Sequence, residues 1–343
     1  MRLGFAVNRA DDVREAQTTA MLMAAAVRRG HQVSVFGVAD TALQAAGRVV
    51  VAARTLPATA TDAGRVAREL ADGAPTPMTL DGAGALDALV IRTNPSRDPD
   101  RAQLHALLLG LAHLLAERGV PVLNAPSGLA RAASKLYLAG FPDGTVPPAT
   151  VSADPDVLVA AVRASSGPSV LKPLAGTRGR GVLKVAASDA NLRPLAELLT
   201  AAGPAMAQAW APGAEAGDVR VVLVGGKPLA VAGRLAAIRR VPAAGDFRSN
   251  LHAGGTAAAA ELTTAQRATL AAIGPRLASD GLWLVGADLI GALAIEVNVF
   301  ATGGLRDAER FEGVDFAGAI VQDLEDVVLG IRPRPLAFST PPR

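Results

Sequence analysis

Three oxygen-bearing side chains, Asp288, Glu296 and Asn298, interrupt an otherwise apolar stretch late in the chain. Glu296 and Asn298 are two residues apart, so on a β-strand they point to the same face. Carboxylate and amide oxygens are hard ligands that suit Mg²⁺, with Mn²⁺ as the alternative ion. We therefore predict a metal site that also holds the phosphates of a nucleotide. The competing interpretation is a surface hairpin whose polar face lies in water.

The stretch around these side chains predicts two strands of a β-hairpin. Val285–Ile290 and Ala294–Phe300 are rich in β-branched and aliphatic residues, and Gly291 lies in the break between them. Asp288 and Glu296 are eight residues apart. They face each other only if the hairpin loop has an odd number of residues or if a strand carries a bulge.

A glycine-rich segment follows a predicted strand that carries a lysine. Residues 171–182 read LKPLAGTRGRGV, and Lys172 lies on the predicted strand Ser169–Pro173. Glycines let backbone N–H groups turn onto phosphates, and a lysine beside them adds a point charge. The segment lacks the Gly-Lys-Ser/Thr ending and the following helix of a P-loop. An ordinary glycine hairpin is the competing interpretation.

Arginines stand at two further places where an anion would bind. Arg92 follows a predicted strand that ends at Ile91, and ligands of open α/β sheets bind beyond the carboxyl ends of strands. Arg92 would there fork onto a substrate carboxylate. Arg240, Arg248 and Asn250 lie close together among glycines and predict an anion-binding loop. At both places, solvated loop residues are the competing interpretation.

Strands and helices alternate in the first third of the chain. Leu3–Val7, Thr18–Arg29 and Gln32–Gly37 predict a strand–helix–strand unit, which requires a parallel sheet. The strand Ala85–Ile91 and the helix Ala102–Arg118 continue this pattern. No GxGxxG motif follows the first strand, so we do not predict a dinucleotide site there.

The remainder of the chain predicts a mixture of helices and hairpins. Leu129–Leu138 reads as a helix that carries Lys135, and Leu229–Leu235 reads as one strand. Thr263–Asp280 is a predicted helix that leads into the hairpin with the carboxylates, and Phe316–Leu329 is the last predicted helix.

The composition excludes several classes of protein. The 343 residues contain no cysteine, which excludes disulfides, thiolate catalysis and thiolate metal sites and fits a cytoplasmic protein. No run of about 18 uncharged apolar residues occurs, so we predict no membrane span. The net charge is only +3 and aromatic residues do not accompany the basic ones, so we do not expect a nucleic-acid partner.

Several segments, in order along the chain, resemble the ATP-grasp ligases, in the branch that contains bacterial glutathione synthetases and ribosomal-protein glutamate ligases. They are the lysine Lys135, LKPLAGTRGRGV at 171–182, MAQAW at 206–210, DVRVVLVGGKP at 218–228, FRSNLHAGG at 247–255, IGPRL at 273–277, and GADLI with IEVNV in the hairpin. The resemblance runs from Asn124 to about Leu329, and the first third of the chain resembles glutathione synthetase more weakly.

The resemblance implies an α/β fold: an N-terminal Rossmann-like (pre-ATP-grasp) domain with a parallel sheet, followed by a two-subdomain α+β ATP-grasp fold. Residues 1–125 would form the pre-ATP-grasp substrate domain, 126–204 the N-terminal ATP-grasp subdomain with its lid, and 205–330 the C-terminal subdomain with the metal site. Residues 331–343 would be a mobile tail. We also expect a homo-oligomer, either a dimer or a tetramer.

The resemblance implies a role for each matching position. The predicted ATP contacts are Lys135, Lys172, the lid residues Gly176, Thr177, Arg178, Gly179 and Gly181, the adenine segment Gln208, Ala209 and Trp210, and the pair Asp218 and Arg220. The predicted catalytic residues, around the transferred phosphate and the acyl substrate, are Arg240, Arg248 and Asn250. Arg92, Asn94, Gly303 and Gly304 are predicted to lie near the substrates, and Asp288, Glu296 and Asn298 are the predicted metal ligands.

These roles imply an ATP-dependent ligase that joins a small-molecule acid to an amine through an acyl phosphate, similar to glutathione synthetase. A ligase that adds glutamate or another amino acid to a peptide or metabolite is one alternative. A non-catalytic ATP-binding regulatory protein is the other.

Overall fold

Three larger β-sheets follow one another along the described part of the chain, with helices packed against them and one further two-stranded sheet. The structure is a computed structural model and describes residues 1–82, 86–174, 176, 181–243, 245–247 and 254–331. An α/β unit with parallel strands comes first and two antiparallel sheets with helices follow, which confirms the predicted fold class.

The first sheet lies at the N-terminus. Its strands are β1 (Arg2–Val7), β2 (Gln32–Gly37), β3 (Thr41–Leu43), β4 (Val49–Thr55), β5 (Thr76–Thr79), β6 (Ala88–Ile91) and β7 (Val122–Leu123), and its helices are α1 (Thr18–Arg28), α2 (Ala63–Asp72) and α3 (Ala102–Glu117). The strand order is β3-β4-β2-β1-β6-β7, with β5 paired to β4. The strands β2, β1, β6 and β7 are parallel as predicted, whereas β3, β4 and β5 form an antiparallel extension that we did not predict.

The second sheet is four-stranded and antiparallel, in the order β10-β9-β11-β8. Its elements are α4 (Pro126–Arg131), β8 (Ala149–Ser152), α5 (Pro155–Ala164), β9 (Ser169–Pro173), β10 (Leu183–Val185), α6 (Leu192–Thr200) and β11 (Ala205–Ala209). The helix α4 precedes the sheet, and α5 and α6 pack on it. The strand β9 carries Lys172, so the sheet fixes this lysine near its centre.

The third sheet is antiparallel, in the order β17-β16-β12-β18-β19, with β13 paired to β12. Its strands are β12 (Asp218–Val224), β13 (Lys227–Pro228), β16 (Ala237–Val241), β17 (Thr256–Ala259), β18 (Leu284–Ile290) and β19 (Leu293–Asn298). The short strands β14 (Ala230–Val231) and β15 (Arg234–Leu235) pair separately, and the helices are α7 (Thr264–Ser279), α8 (Leu305–Glu312) and α9 (Phe316–Val328).

Two predicted elements are wrong. The helix predicted for Leu129–Leu138 ends at Arg131, and Lys135 instead starts a 3₁₀ turn after an extended Ser134. The N–H of Lys135 donates to the carbonyl of Leu174 (3.2 Å), the residue directly after β9, and not to a carbonyl of its own segment.

The single strand predicted for Leu229–Leu235 is a small hairpin instead. It turns at Ala232 and Gly233, which both have positive φ (49° and 78°). Two adjacent residues with positive φ form the tight turn that suits a two-residue hairpin loop.

Buried apolar residues divide into three clusters. One cluster joins Leu3 and Phe5 of the first sheet to Trp283 and Phe316 near the third sheet. A second cluster also contains residues of the first and third sheets. The third cluster, which includes Leu171, belongs to the second sheet and its two helices α5 and α6 alone. Among the described residues, no helix is both long and apolar enough to cross a membrane.

Candidate active site

The hairpin of β18 and β19 brings the predicted metal ligands together. Asp288 lies opposite Glu296, and a register shift between Asp288 and Leu289 supplies the extra residue that their even spacing requires. The bulge, and not an odd loop, is therefore the correct one of the two predicted solutions. The amide of Asn298 donates to Oδ2 of Asp288 (3.3 Å), so these two side chains share a face.

Asp288 is buried and bound by two guanidinium groups. Arg220 lies opposite it on β12 and donates from Nε to Oδ1 (2.7 Å) and from Nη2 to Oδ2 (2.6 Å). Nη2 of Arg240 is 2.7 Å from the same Oδ2. Burial alone would raise the pKa of Asp288, but the two positive charges outweigh burial and hold this pKa below its usual value.

Arg240 is also held by Asp218, its register partner across β12 and β16. Its Nε and Nη2 donate to the two carboxylate oxygens of Asp218 (2.6 and 2.7 Å), and both side chains are buried. Burial alone would lower the pKa of Arg240, but the negative charges of Asp288 and Asp218 outweigh burial and raise this pKa above its usual value. Arg240 therefore stays charged. We had not predicted this pairing, although the alignment of two neighbouring strands could have suggested it.

Lys172 faces the hairpin from the second sheet. Its Nζ donates to Oε1 of Gln208 (2.8 Å), a residue of the neighbouring strand β11, and both side chains are buried. Burial lowers the pKa of Lys172 to about 8, although Glu296 acts in the opposite direction. Lys135 lies close enough to lower this pKa further, and its own Nζ is 3.4 Å from the carbonyl of Gly176. The structure thus brings both predicted phosphate lysines together beside Glu296.

The predicted adenine segment is tied to the protein by its backbone. The N–H groups of Ala209 and Trp210 donate to the carbonyls of Pro148 (2.9 Å) and Pro168 (3.0 Å). The backbone groups of Ala209 and Trp210 that could hydrogen-bond to a base are therefore their carbonyl groups.

The side chain of Trp210 contacts three residues that we had not predicted. Its indole donates to Oε1 of Glu215 (3.2 Å), Nζ of Lys184 lies 3.9 Å from its ring centroid, and the ring of Phe247 meets it edge-on at 5.4 Å. Nothing in the spacing of these residues indicates that they would converge.

Arg92 is buried, so its interpretation as a solvated loop residue is wrong. It donates to Oγ1 of Thr19 (3.2 Å) and to the carbonyls of Phe300 (3.5 Å) and Thr302 (2.8 Å). Burial lowers the pKa of Arg92 to about 10. The backbone N–H of nearby Asn94 donates to the side-chain oxygen of Asn8 (2.6 Å), and the side-chain nitrogen of Asn8 donates to the carbonyl of Asn94 (3.0 Å).

The segment after β19 is fixed from several sides. The carbonyl of Val299 accepts from the side chain of Asn124 (2.5 Å), at the end of β7. Thr302 is buried against Gly286, and a Cβ added at Gly286 would lie 2.0 Å from Oγ1 of Thr302, so any larger residue at position 286 would require Thr302 to move. Gly303 and Gly304 follow, and Gly304 takes a φ of 100° at the start of α8.

A cleft joins residues predicted from separate parts of the chain. Its lining includes Asn94, Ser96, Lys135, Glu296, Asn298 and Phe300, and Gly176 lies at its edge. One predicted substrate residue, two predicted nucleotide contacts and two of the three predicted metal ligands therefore meet in this cleft, whereas Lys172 and Asp288 are not among the residues that line it. The predicted site residues Thr177, Arg178, Gly179, Arg248 and Asn250 lie outside the described residues, as does the predicted tail after Ile331.

The donor set fits a divalent cation by its chemistry, because two carboxylates and an amide oxygen are hard ligands. In the part of the chain that the structure describes, no three acidic, histidine or cysteine side chains are placed to bind a metal together. Of these three side chains, Asp288 already contacts two positively charged groups, the guanidinium groups of Arg220 and Arg240.

The sequence matches two family models. That of the prokaryotic glutathione synthetase N-terminal domain covers residues 1–130, and that of the prokaryotic glutathione synthetase ATP-grasp domain covers residues 134–313. Glutathione synthetase of Nostoc sp. (strain PCC 7120 / SAG 25.82 / UTEX 2576) is 35% identical over 242 residues, which are 70% of this chain and 71% of that protein. Glutathione synthetase of Parasynechococcus marenigrum (strain WH8102) is 39% identical over 264 residues, 76% of this chain and 80% of that protein.

Solved structures give the same picture of the fold. The ATP-grasp ligase PsnB complexed with a minimal precursor superposes with a TM-score of 0.58 over 94% of this chain and 98% of that chain. The two sequences are 20% identical, so the likeness is one of fold.

Proposed function

Because this chain belongs to the prokaryotic glutathione synthetase family and is therefore a glutathione synthetase-like ATP-grasp ligase, we propose that it activates a small-molecule carboxylate with ATP and transfers the acyl group to an amine in the cleft described above. One observation carries the proposal. Lys135 and Glu296 both line the cleft, and Lys172 lies close enough to each for their charges to act on its pKa, so phosphates bridged by a metal could bind among these three groups.

The nucleotide would lie between the second and third sheets. Lys135 and Lys172 would contact its phosphates, together with the glycines around Gly176 and Gly181. The adenine would lie beside Trp210, and its amino group would donate to carbonyl groups of the 208–210 segment, Gln208, Ala209 and Trp210. Support for this comes from the location of these residues on β9, on β11 and at the end of β11.

The family implies ATP and a divalent metal, and we propose Mg²⁺ with Asp288, Glu296 and Asn298 as its ligands. Bound there, the ion would neutralise negative charge on the transferred phosphate. Arg220 and Asp218 would complete this side of the nucleotide site through the buried ion pairs with Asp288 and Arg240.

The reaction would take two steps. A carboxylate oxygen of the acid attacks the γ-phosphorus of ATP, the bond between this phosphorus and the β–γ bridging oxygen breaks, and ADP leaves. The amine nitrogen then attacks the acyl carbon, the bond from carbon to the phosphate oxygen breaks, and inorganic phosphate leaves as the nitrogen loses a proton. Arg240, with Arg248 and Asn250, would stabilise the negative charge that develops in both steps.

Arg92 would act on the acid through the cleft wall. Its guanidinium holds the carbonyls of Phe300 and Thr302, so it sets the position of the segment that ends in Gly303 and Gly304. Asn94 lies at the cleft itself. We propose that this wall, and not the nucleotide side, selects the acid and the amine.

The remaining proposals concern organisation. We propose domain boundaries at 125/126, 204/205 and 330/331, and a homo-oligomeric, cytoplasmic protein. A phosphate-release screen with ATP, Mg²⁺ and pairs of candidate acids and amines tests the function, with glutathione as the first product to measure because the relatives carry that name. No phosphate release above the enzyme-free rate with any acid and amine pair would count against ligation.

A further inference from the structure

Four ionised side chains of the third sheet form a continuous row, in which Asp218, Arg240 and Asp288 are buried and Arg220 is partly exposed. Asp218 binds Arg240, Arg240 contacts Asp288, and Asp288 binds Arg220 in a bidentate pair. All the nitrogen–oxygen distances in this row are between 2.6 and 2.7 Å. The row is therefore a packed network, in which every carboxylate has a guanidinium neighbour.

Both oxygens of Asp288 already accept hydrogen bonds from guanidinium groups. Oδ1 accepts from Arg220, and Oδ2 has contacts with Arg220, Arg240 and Asn298. A carboxylate offers about four lone-pair positions. A metal ion that binds Oδ2 must therefore displace one of these nitrogen donors, and one that binds Oδ1 would lie beside the positively charged guanidinium of Arg220.

The electrostatic balance of the site also disfavours a metal ion alone. Among the described residues of the site, the cations Arg220, Arg240 and Lys172 equal in number the anions Asp218, Asp288 and Glu296, and Lys135 adds one more positive charge nearby. A divalent cation that enters without phosphates therefore meets no net negative charge, and two guanidinium groups lie within hydrogen-bonding distance of its intended ligand. Phosphate oxygens would reverse this balance, since guanidinium groups bind them in the same forked way as carboxylates.

We propose that Arg220 and Arg240 compete with the divalent metal for Asp288, so that the metal binds tightly only when nucleotide phosphates take over these guanidinium groups. This proposal rests on the proposed metal site and adds the condition under which a metal ion binds there. Arg220 is the main competitor, because its entire fork is spent on Asp288, whereas Arg240 is anchored by Asp218 as well.

The test measures binding of Mn²⁺ alone, by the electron paramagnetic resonance signal of the unbound ion, without nucleotide or substrates. Arg220→Gln should bind Mn²⁺ at least about fivefold more tightly than the unmodified protein, the lower end of usual coupling between two ligands. Arg239→Gln is the matched control, since this exposed arginine on β16 donates only to the carbonyl of Ala216 among the described contacts and its loss removes the same charge.

The gain must depend on Asp288. In an Asp288→Asn background, Arg220→Gln should no longer change the affinity for Mn²⁺, because the contested ligand is missing. Arg220→Lys keeps the charge but not the fork, and it should give a smaller gain than Arg220→Gln. Thermal unfolding of each variant establishes that the protein is folded, and Arg220→Lys serves as the test if Arg220→Gln does not fold.

The outcomes separate the inference from the proposed function. ADP with the unmodified protein should lower the signal of unbound Mn²⁺ further than the same ADP does without protein, and a failure to do so would overturn the proposed nucleotide and metal site. If ADP has this effect but Arg220→Gln binds Mn²⁺ alone no better than Arg239→Gln does, the competition is wrong and the site stands. The same conclusion follows if the gain persists in the Asp288→Asn background.

Discussion

Asn124 reaches from the end of β7 to both backbone groups of Leu284, the first residue of β18. Its Oδ1 accepts from the N–H of Leu284 (2.7 Å), and its Nδ2 donates to the carbonyl of Leu284 (3.0 Å) and to that of Val299 (2.5 Å). One buried amide therefore links the first sheet to the strand that carries Asp288 and to the segment beyond Asn298.

Replacing this amide should destabilise the protein. Asn124→Ala leaves buried backbone groups of Leu284 and Val299 without their partner, at a cost of about 3 kcal/mol. Urea unfolding should show this loss in the free energy of unfolding. Asn191→Ala is the control, because Asn191 is exposed and its side chain makes no capping bond to α6, so it should change little. Equal stability of the two variants would contradict the role of Asn124.

Glu296 should be essential for turnover and dispensable for folding. It is half-buried, and its carboxylate faces Lys172 and the cleft. Glu296→Ala should lower kcat by about 10³-fold, since a bound metal contributes several kcal/mol to the transition state. ADP release measures the loss, and circular dichroism establishes the fold. Glu261→Ala, at an exposed position, is the control. If Glu296→Ala turned over as fast as the unmodified protein, Glu296 would not belong to the active site.

Lys172 should contribute strongly to nucleotide affinity. It is fixed by β9 and by Gln208, so no side chain needs to be ordered when phosphates bind. Lys172→Ala should weaken binding of a non-hydrolysable ATP analogue by about 10- to 100-fold, because a charge-assisted hydrogen bond contributes roughly 1.5–3 kcal/mol. Isothermal titration calorimetry measures the affinity for the analogue, and Lys227→Ala, at an exposed position, is the control. Equal affinities would contradict the assignment.

The pH dependence of binding follows from the lowered pKa of the same lysine. With a pKa of about 8 in the folded protein, Lys172 loses its charge as the pH rises through 8, so affinity for the analogue should fall between pH 7 and pH 9. Lys172→Ala should flatten that dependence. For stability the sign is opposite, because the buried charge costs free energy below pH 8 and this cost disappears as the pH rises toward 10.5. A dependence that persists in Lys172→Ala would assign it to another group.

The route of the oxygen atoms distinguishes an acyl phosphate from an adenylate. With an acid substrate labelled with ¹⁸O in its carboxylate, one label should appear in the released inorganic phosphate, since that oxygen bridges carbon and phosphorus in the intermediate. Mass spectrometry of the phosphate measures this. Labelled AMP together with pyrophosphate would overturn the proposed mechanism.

Arg92 should affect the acid more than the nucleotide. Arg92→Ala releases the carbonyls of Phe300 and Thr302 and should raise KM for the acid by about tenfold, with a smaller change in kcat, the pattern of lost uniform binding. Arg92→Lys keeps the charge but cannot reach three acceptors, so it should resemble Arg92→Ala. Restoration of KM by lysine would indicate that charge alone matters.

Spacing predicted the parts of the site that lie on one hairpin. The eight-residue separation of Asp288 and Glu296 required a bulge or an odd loop, and the bulge is present. The partners of Arg92 could not be predicted in this way, because Phe300 and Thr302 are some 200 residues away and are carbonyl groups that any residue would supply. Lys135 shows the same limit, since its contact with Leu174 outweighed the helical pattern of its own segment.

The distribution of the buried clusters determines which parts of the protein unfold together. The first and third sheets share two apolar clusters, and Arg29 of the first unit binds Glu325 of α9 (2.6 Å), so these two parts should melt as one cooperative unit. The second sheet has its own cluster and should exchange its amide hydrogens independently. A protease would then release a fragment around residues 149–209 first, and the cleft would lose Lys172 while the hairpin with Asp288 and Glu296 stayed folded.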